Sequence, residues 1–179
     1  MRWFWIDRFV EFESGRRAVA TKNVSLVEEQ MDGYGPWLPV MPASLIIEGI
    51  AQTGGLLVGE HNAFQERVVL AKIGKAFFHR LALAGDTLTY TVVAENIQAD
   101  GAICKATSHI DGQLHAEIDL VFAHLDDRFQ GVEQFEPTDF LRMLRLLRLF
   151  EAGRNADGEP LKIPEHLLKA EREEFAASD

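Results

Sequence analysis

Gly33-Tyr34-Gly35-Pro36-Trp37-Leu38-Pro39-Val40-Met41-Pro42-Ala43-Ser44-Leu45-Ile46-Ile47-Glu48-Gly49-Ile50-Ala51-Gln52 is the stretch around which the rest of the chain is organised. Gly33, Gly35, Pro36, Pro39 and Pro42 crowd residues 31–42. No helix or strand survives that density of breakers, so an irregular loop is expected. Pro42 suits a helix start, because the N–H it lacks has no partner in a first turn. From Ala43 to His61 there is no proline, and apolar residues fall on nearly every side: Leu45, Ile46, Ile47, Ile50, Ala51, Leu56, Leu57 and Val58. A helix apolar all round is a buried helix. Gly54-Gly55 and Gly59 allow another element to pack closely against it, at some cost in helix propensity.

Glu48 is the only charged residue between Asp32 and Glu60. Burying an unpaired carboxylate is costly, so it must be hydrogen-bonded, protonated or at the edge of a cavity. Ser44, Glu48 and Gln52 recur every fourth residue and form one polar stripe on the apolar helix. A carboxyl group in such surroundings is suited to acid or base work. Periodicity alone also fits a helix-edge glutamate that reaches to solvent.

On either side the pattern changes to a period of two. Residues 7–13 and 16–24 read as two strands joined at Ser14-Gly15. Residues 67–80, 86–97, 102–110 and 113–124 read as four more, in a meander. Leu114, Ala116, Ile118, Leu120 and Phe122 alternate cleanly, and Asp111-Gly112 is a strong hairpin turn. The expected fold is α+β, an antiparallel sheet wrapped around one long buried helix. From Asp126 the composition shifts. A helix is expected over 139–151, with Leu141, Leu144, Leu147 and Phe150 apart from Arg142, Arg145 and Arg148. A linker over 155–160 and a short acidic helix over 164–175 follow. The expected division is a domain over 1–125 and a helical C-terminal extension over 126–179, which either covers the sheet or a tunnel mouth or serves as an assembly surface.

The chain of 179 residues carries a formal charge of -10 and one cysteine, Cys104. An acidic chain disfavours a nucleic-acid partner. A lone cysteine makes neither an internal disulfide nor a thiolate metal site, which fits a reducing compartment. The first residues show no signal-peptide core, and the apolar run from Leu45 to Val58 is too short for a membrane span. The expected location is cytoplasmic. No cofactor and no metal site are expected, since no spacing of His, Asp and Glu suggests one. No Ser-centred elbow suggests a serine hydrolase.

The quoted stretch resembles the active-site signature of the 3-hydroxyacyl-acyl carrier protein dehydratases, hot-dog-fold enzymes of fatty-acid synthesis. Their pattern is roughly Gly-His-Phe-Pro-x-x-Pro-x-Met-Pro-Gly, then a helix with Glu-Ala-x-Ala-Gln. Asp7-Arg8-Phe9-Val10-Glu11-Phe12 and Ala18-Val19-Ala20-Thr21-Lys22-Asn23-Val24 resemble the family's first hairpin. Lys75-Ala76-Phe77-Phe78-His79-Arg80 and Ala84-Gly85-Asp86-Thr87-Leu88 resemble the strand and turn after its helix. The likeness covers about residues 6–124. It implies a hot-dog dimer acting on an acyl thioester of acyl carrier protein or CoA. Glu48 would be the catalytic acid, the backbone at Ala43 and Ser44 would face the thioester oxygen, and Gln52 would lie in the substrate site. It also implies that base and acid come from different subunits.

The chain departs from the pattern at the catalytic histidine, where it has Tyr34. Tyrosine ionises near 10 rather than near 6.5, so service as a base near neutrality would cost about 4 kcal/mol. Tyr34 either donates a hydrogen bond to substrate while Glu48 serves as base, or fills the space of the aromatic residue absent at Gly35. His79 is the best substitute by position; as a structural residue it would be a solvated strand histidine. His109, His115 and His124 read as surface residues. Lys72, Lys75 and Arg80 are candidates for an acidic carrier protein or a phosphopantetheine arm. Three functions stay open: a dehydratase with an altered base, a hot-dog thioesterase in which Glu48 activates water, and a non-catalytic acyl or carrier-protein binding homologue.

Overall fold

The structure, a computed structural model, describes residues 3–34, 37–125 and 136–177, with Tyr34 described by its backbone alone. Strands β1 (Arg8–Glu13) and β2 (Arg17–Asn23) form the expected first hairpin. The proline-rich segment opens with one regular piece, a 3-10 turn at Glu29–Tyr34, where an irregular loop was expected throughout. Helix α1 spans Ala43–Glu60 and starts directly after Pro42. Strands β3 (Arg67–Phe78), β4 (Thr87–Gln98), β5 (Gly101–Ile110) and β6 (Gln113–Leu125) follow. At the β5–β6 turn Asp111 and Gly112 take φ of 50° and 75°, the left-handed pair that an Asp-Gly hairpin requires.

The sheet order is β3-β6-β5-β4-β2-β1-β7, where β7 is the two-residue strand Gly153–Arg154. The meander is therefore β4-β5-β6, and β3 does not pair with β4 as a four-strand meander would have it. It crosses to the far edge and pairs antiparallel with β6. Alternation along a strand fixes which face is buried but not which neighbour it takes, so the sequence left this pairing undetermined. The sheet curves around α1, which packs on β4 with β2, β3, β5 and β6 to either side. Ile46, Ile50, Leu57 and Val58 of α1 are fully buried against Tyr90, Val92, Ile118 and Leu120 of the sheet. The helix is not enclosed all round: Leu45, Ile47, Glu48, Gln52, Gly55 and Leu56 stay half-buried.

The C-terminal extension departs most from expectation. Instead of one helix over 139–151 there are α2 (Pro137–Leu146) and a single turn, α3 (Leu149–Ala152). They are split at Arg148, which takes a left-handed φ of 56°. The Leu147 carbonyl that a continuous helix would use accepts instead from Phe9 N–H of β1, at 2.8 Å. Tertiary pairing thus outweighs the helical periodicity here. Gly153–Arg154 then forms β7, parallel to β1, a strand too short to be visible in the sequence. Leu141, Leu144, Leu149 and Leu161 join the same core as α1, and α4 (Glu165–Ala177) lies on α2. Residues 126–135, on which the expected domain boundary falls, lie outside the described residues. Among the described residues no helix is long and apolar enough to cross a membrane.

Candidate functional site

The start of α1 is held by the chain that leads into it. Met41 N–H donates to the Ala82 carbonyl at 2.9 Å, and Val40 pairs with Leu83 as an isolated antiparallel bridge. This fixes the loop exit against the segment between β3 and β4. Pro42 sits at the N-cap with no side-chain cap, and Ala43 and Ser44 are exposed. A helix N-terminus in that state presents backbone N–H groups and the positive end of the helix dipole to whatever binds there.

One turn further along, Glu48 and Gln52 occupy the half-buried side of α1. Gln52 Nε2 donates to Glu48 Oε1 at 3.1 Å and to the Trp3 carbonyl at 2.8 Å. Gln52 Oε1 accepts from Trp5 N–H at 2.9 Å. The N-terminal residues Trp3 to Trp5 therefore cross α1 as a strap beside the carboxylate. Their indoles meet edge to face with centroids 5.2 Å apart; Trp5 is buried and Trp3 exposed. Gly49 makes the crossing possible. A Cβ there would stand 2.5 Å from the Trp5 carbonyl oxygen and 2.7 Å from the Tyr90 ring. The dehydratase pattern has alanine at this position. The change to glycine was the available sequence signal for the strap, and reading the segment for periodicity alone passes over it.

The remaining expected site residues are dispersed. Tyr34 closes the 3-10 turn; its side chain, with Gly35 and Pro36, lies outside the described residues. His79 follows β3 on the outer face of the sheet, away from α1. There its Nε2 lies 3.1 Å from Glu117 Oε2 and its ring meets Phe77 edge to face. Within one chain it is not brought to Glu48. Lys75 faces the same Glu117 at 3.7 Å, and Arg80 donates to Gln113.

Two of the histidines read as surface residues are not. His115 is fully buried: its Nδ1 lies 3.0 Å from Ser108 Oγ, its Nε2 has no partner among the described residues, and Phe78 packs against its ring. Burial, followed by the nearby Arg80 charge, pulls its pKa below 6.5. It occupies the β6 position where the register with β5 slips between Ser108 and His109, and a bulge turns its side chain inward against the alternation. His124 is largely covered and pairs with Glu66. Among the described residues no group of three or more His, Cys, Asp or Glu is arranged to hold a metal ion.

Comparison with known proteins places this geometry. A family model for the FabA-like domain matches residues 3–122. A 3-hydroxyacyl-acyl-carrier-protein dehydratase FabZ from Desulforamulus reducens is 40% identical over 121 residues, covering 66% of this chain and 84% of that protein. A FabZ from Clostridium botulinum is 34% identical over 118 residues, covering 65% and 82%. Among solved structures, the dehydratase heterocomplex ApeI:P from Xenorhabdus doucetiae superposes with a TM-score of 0.59 at 12% identity, over 70% of this chain and 86% of that one. A hypothetical thioesterase from Streptococcus pneumoniae, solved with coenzyme A, gives a TM-score of 0.54 at 12% identity, over 66% and 84%. At such identities the structures speak for the fold alone, and that fold is the hot-dog fold expected from the sequence.

Proposed function

This chain belongs to the FabA-like family, and on that premise we propose that it is a dehydratase of 3-hydroxyacyl thioesters in which Glu48 is the working carboxyl group. The observation that carries the reading is Glu48 itself, a half-buried acid on the central helix at the family's acid position, hydrogen-bonded by Gln52 and one turn from an uncapped helix N-terminus. No histidine precedes His61, so the chain offers no imidazole in the loop that leads into α1.

In this reaction the bond from C2 to hydrogen breaks, its electron pair forms the C2–C3 double bond, and the C3–O bond breaks to release water. We assign the C2 proton to the Glu48 carboxylate, which returns it to the departing hydroxyl, so that one carboxyl group serves as base and then as acid. Negative charge collects on the thioester oxygen as C2 loses its proton. The N–H groups at Ala43 and Ser44 are the donors suited to that oxygen. The Tyr34 hydroxyl is assigned a hydrogen bond to substrate.

The proposed assembly is a homodimer. Edge strand β3 supports it: twelve residues long, with Leu70, Ile73 and Phe77 exposed, it is the kind of edge proteins rarely leave open. Lys72, Lys75 and Arg80 on and beside that strand suit an acidic carrier or a phosphopantetheine arm, so the substrate is proposed as an acyl thioester of acyl carrier protein or CoA in lipid synthesis.

The test is hydration of a crotonyl thioester, forward and reverse, with wild type, E48Q, Y34F and Y34H. E48Q is expected to lose activity by a factor of at least about 100. Wild-type activity in E48Q overturns the assignment. Release of free thiol without hydration would make the chain a thioesterase using Glu48 to activate water. Binding with neither reaction would make it an acyl-binding homologue.

A further inference from the structure

Gln52 has no free N–H to offer a substrate. Its amide nitrogen carries two hydrogens, and both are committed, one to the Trp3 carbonyl at 2.8 Å and one to Glu48 Oε1 at 3.1 Å. Its oxygen accepts from Trp5 N–H at 2.9 Å. A side-chain amide that faces the C=O of one residue and the N–H of the next but one pairs with the backbone as a neighbouring strand would. This pairing removes the usual ambiguity of an amide. Turned over, its nitrogen would face the Trp5 N–H and its oxygen the Trp3 carbonyl, two repulsive contacts in place of two hydrogen bonds. The strap therefore points the nitrogen at Glu48, and a carboxylate, which only accepts, is the matched neighbour.

We infer that Gln52 is a positioning residue for Glu48. The Trp3–Trp5 strap locks the Gln52 amide, and the amide holds Glu48 Oε1, leaving Oε2 as the oxygen presented to a reacting group. This replaces the expectation that Gln52 touches substrate, and it rests on the reading of Glu48 as the site carboxyl group. The strap lies outside the loop-and-helix signature, 47 and 49 residues away in sequence from the glutamine it orients. Site geometry thereby depends on the first few residues of the chain. The Trp3 ring is exposed and meets the Trp5 indole edge to face, while the Trp3 carbonyl accepts from the Gln52 amide and does this orienting work.

The test compares Q52M, Q52E and E48Q in the full chain with a crotonyl thioester, measuring kcat, KM and thermal unfolding together. Q52M keeps the length of the side chain and loses all three hydrogen bonds. It is expected to lower kcat about tenfold while KM stays within about twofold, the mark of an interaction made to the machinery rather than to substrate. Q52E keeps an acceptor for Trp5 N–H but sets a carboxylate against Glu48 and the Trp3 carbonyl, so its kcat should fall further than that of Q52M. A chain trimmed by a protease to begin at Phe4 keeps Gln52 and loses the Trp3 carbonyl, together with the Trp3 ring that meets Trp5. It carries the test where the other variants do not fold, with kcat expected to fall severalfold at constant KM.

A rise in KM at retained kcat would make Gln52 a substrate contact and overturn the inference. Unchanged kcat per folded molecule in Q52M and Q52E, or in the shortened chain, would overturn it too, leaving Gln52 a structural strut. E48Q separates the two levels. An active E48Q removes the site reading and the inference with it. An inactive E48Q beside unimpaired Gln52 variants removes the positioning role alone.

Discussion

Replacing Gly49 by alanine should destabilise the protein, whereas the same replacement at Gly55, six residues further along α1, should stabilise it. Both positions lie inside an 18-residue helix, where alanine is favoured over glycine by about 1 kcal/mol. They differ in what the added methyl group meets. At Gly55 the nearest atom is Phe122 Cε1 at 3.7 Å, an ordinary contact, so the propensity gain should appear nearly whole. At Gly49 the Trp5 carbonyl oxygen would stand 2.5 Å away and the Tyr90 ring 2.7 Å away. A carbon settles against a carbonyl oxygen at about 3.3 Å, so the strap must retreat by roughly 0.8 Å. Tyr90 is fully buried and gives little room. Overpacking of this kind costs about 1 to 3 kcal/mol, and the upper end applies because the obstacle is backbone. The net expectation for G49A is a loss of about 2 kcal/mol. At roughly 2 to 4 °C per kcal/mol for a chain of this size, Tm should fall by about 4 to 8 °C in G49A and rise by about 2 to 4 °C in G55A. Thermal and urea unfolding at one fixed protein concentration measure both. Two variants that move in the same direction, or a G49A as stable as wild type, would refute the close passage of the strap over α1.

Glu60, at the far end of α1, should make stability fall with rising pH. Burial, partly opposed by a hydrogen bond with Ser14 and by His61, raises its pKa above 4.5. The native state then keeps a proton that the unfolded chain releases, so its stabilising contribution is full below 4.5 and is lost as pH climbs through the raised value. Urea midpoints across that range should decline in wild type relative to E60Q, and parallel curves would refute this. Y90F should be neutral or more stable by up to about 1 kcal/mol, since the buried Tyr90 hydroxyl has no partner to lose among the described residues; urea unfolding decides, and a loss above that size would mean a further hydrogen bond. Cys104 is buried, and burial pushes its thiol up to about 12. The native thiolate is then scarce at pH 8, so a thiol reagent should label one site per chain in denaturant and none in native buffer over the same time.

What the sequence determined by itself is what depends on near neighbours. Proline and glycine spacing placed the loop and the start of α1. The apolar run placed the central helix, alternation placed all six long strands, and Asp111-Gly112 placed a hairpin. Glu48 stood out because a lone charge in an apolar helix has to be explained, and the motif around it indicated the family. Each of these signals is carried within about twenty residues, the range over which local periodicity and turn chemistry act. The tertiary structure decided what depends on distant segments. It set β3 at the far edge beside β6, and it broke the expected helix at Arg148 so that Leu147 could pair with Phe9. It turned His115 inward at a bulge, where alternation had pointed it outward. It also laid Trp3 to Trp5 across Gly49 and Gln52. The sequence marked Gln52 as part of a polar stripe. Only contact with residues 47 and 49 positions upstream decided which way its amide points, because an amide has two nearly isosteric ends and its partners alone distinguish them.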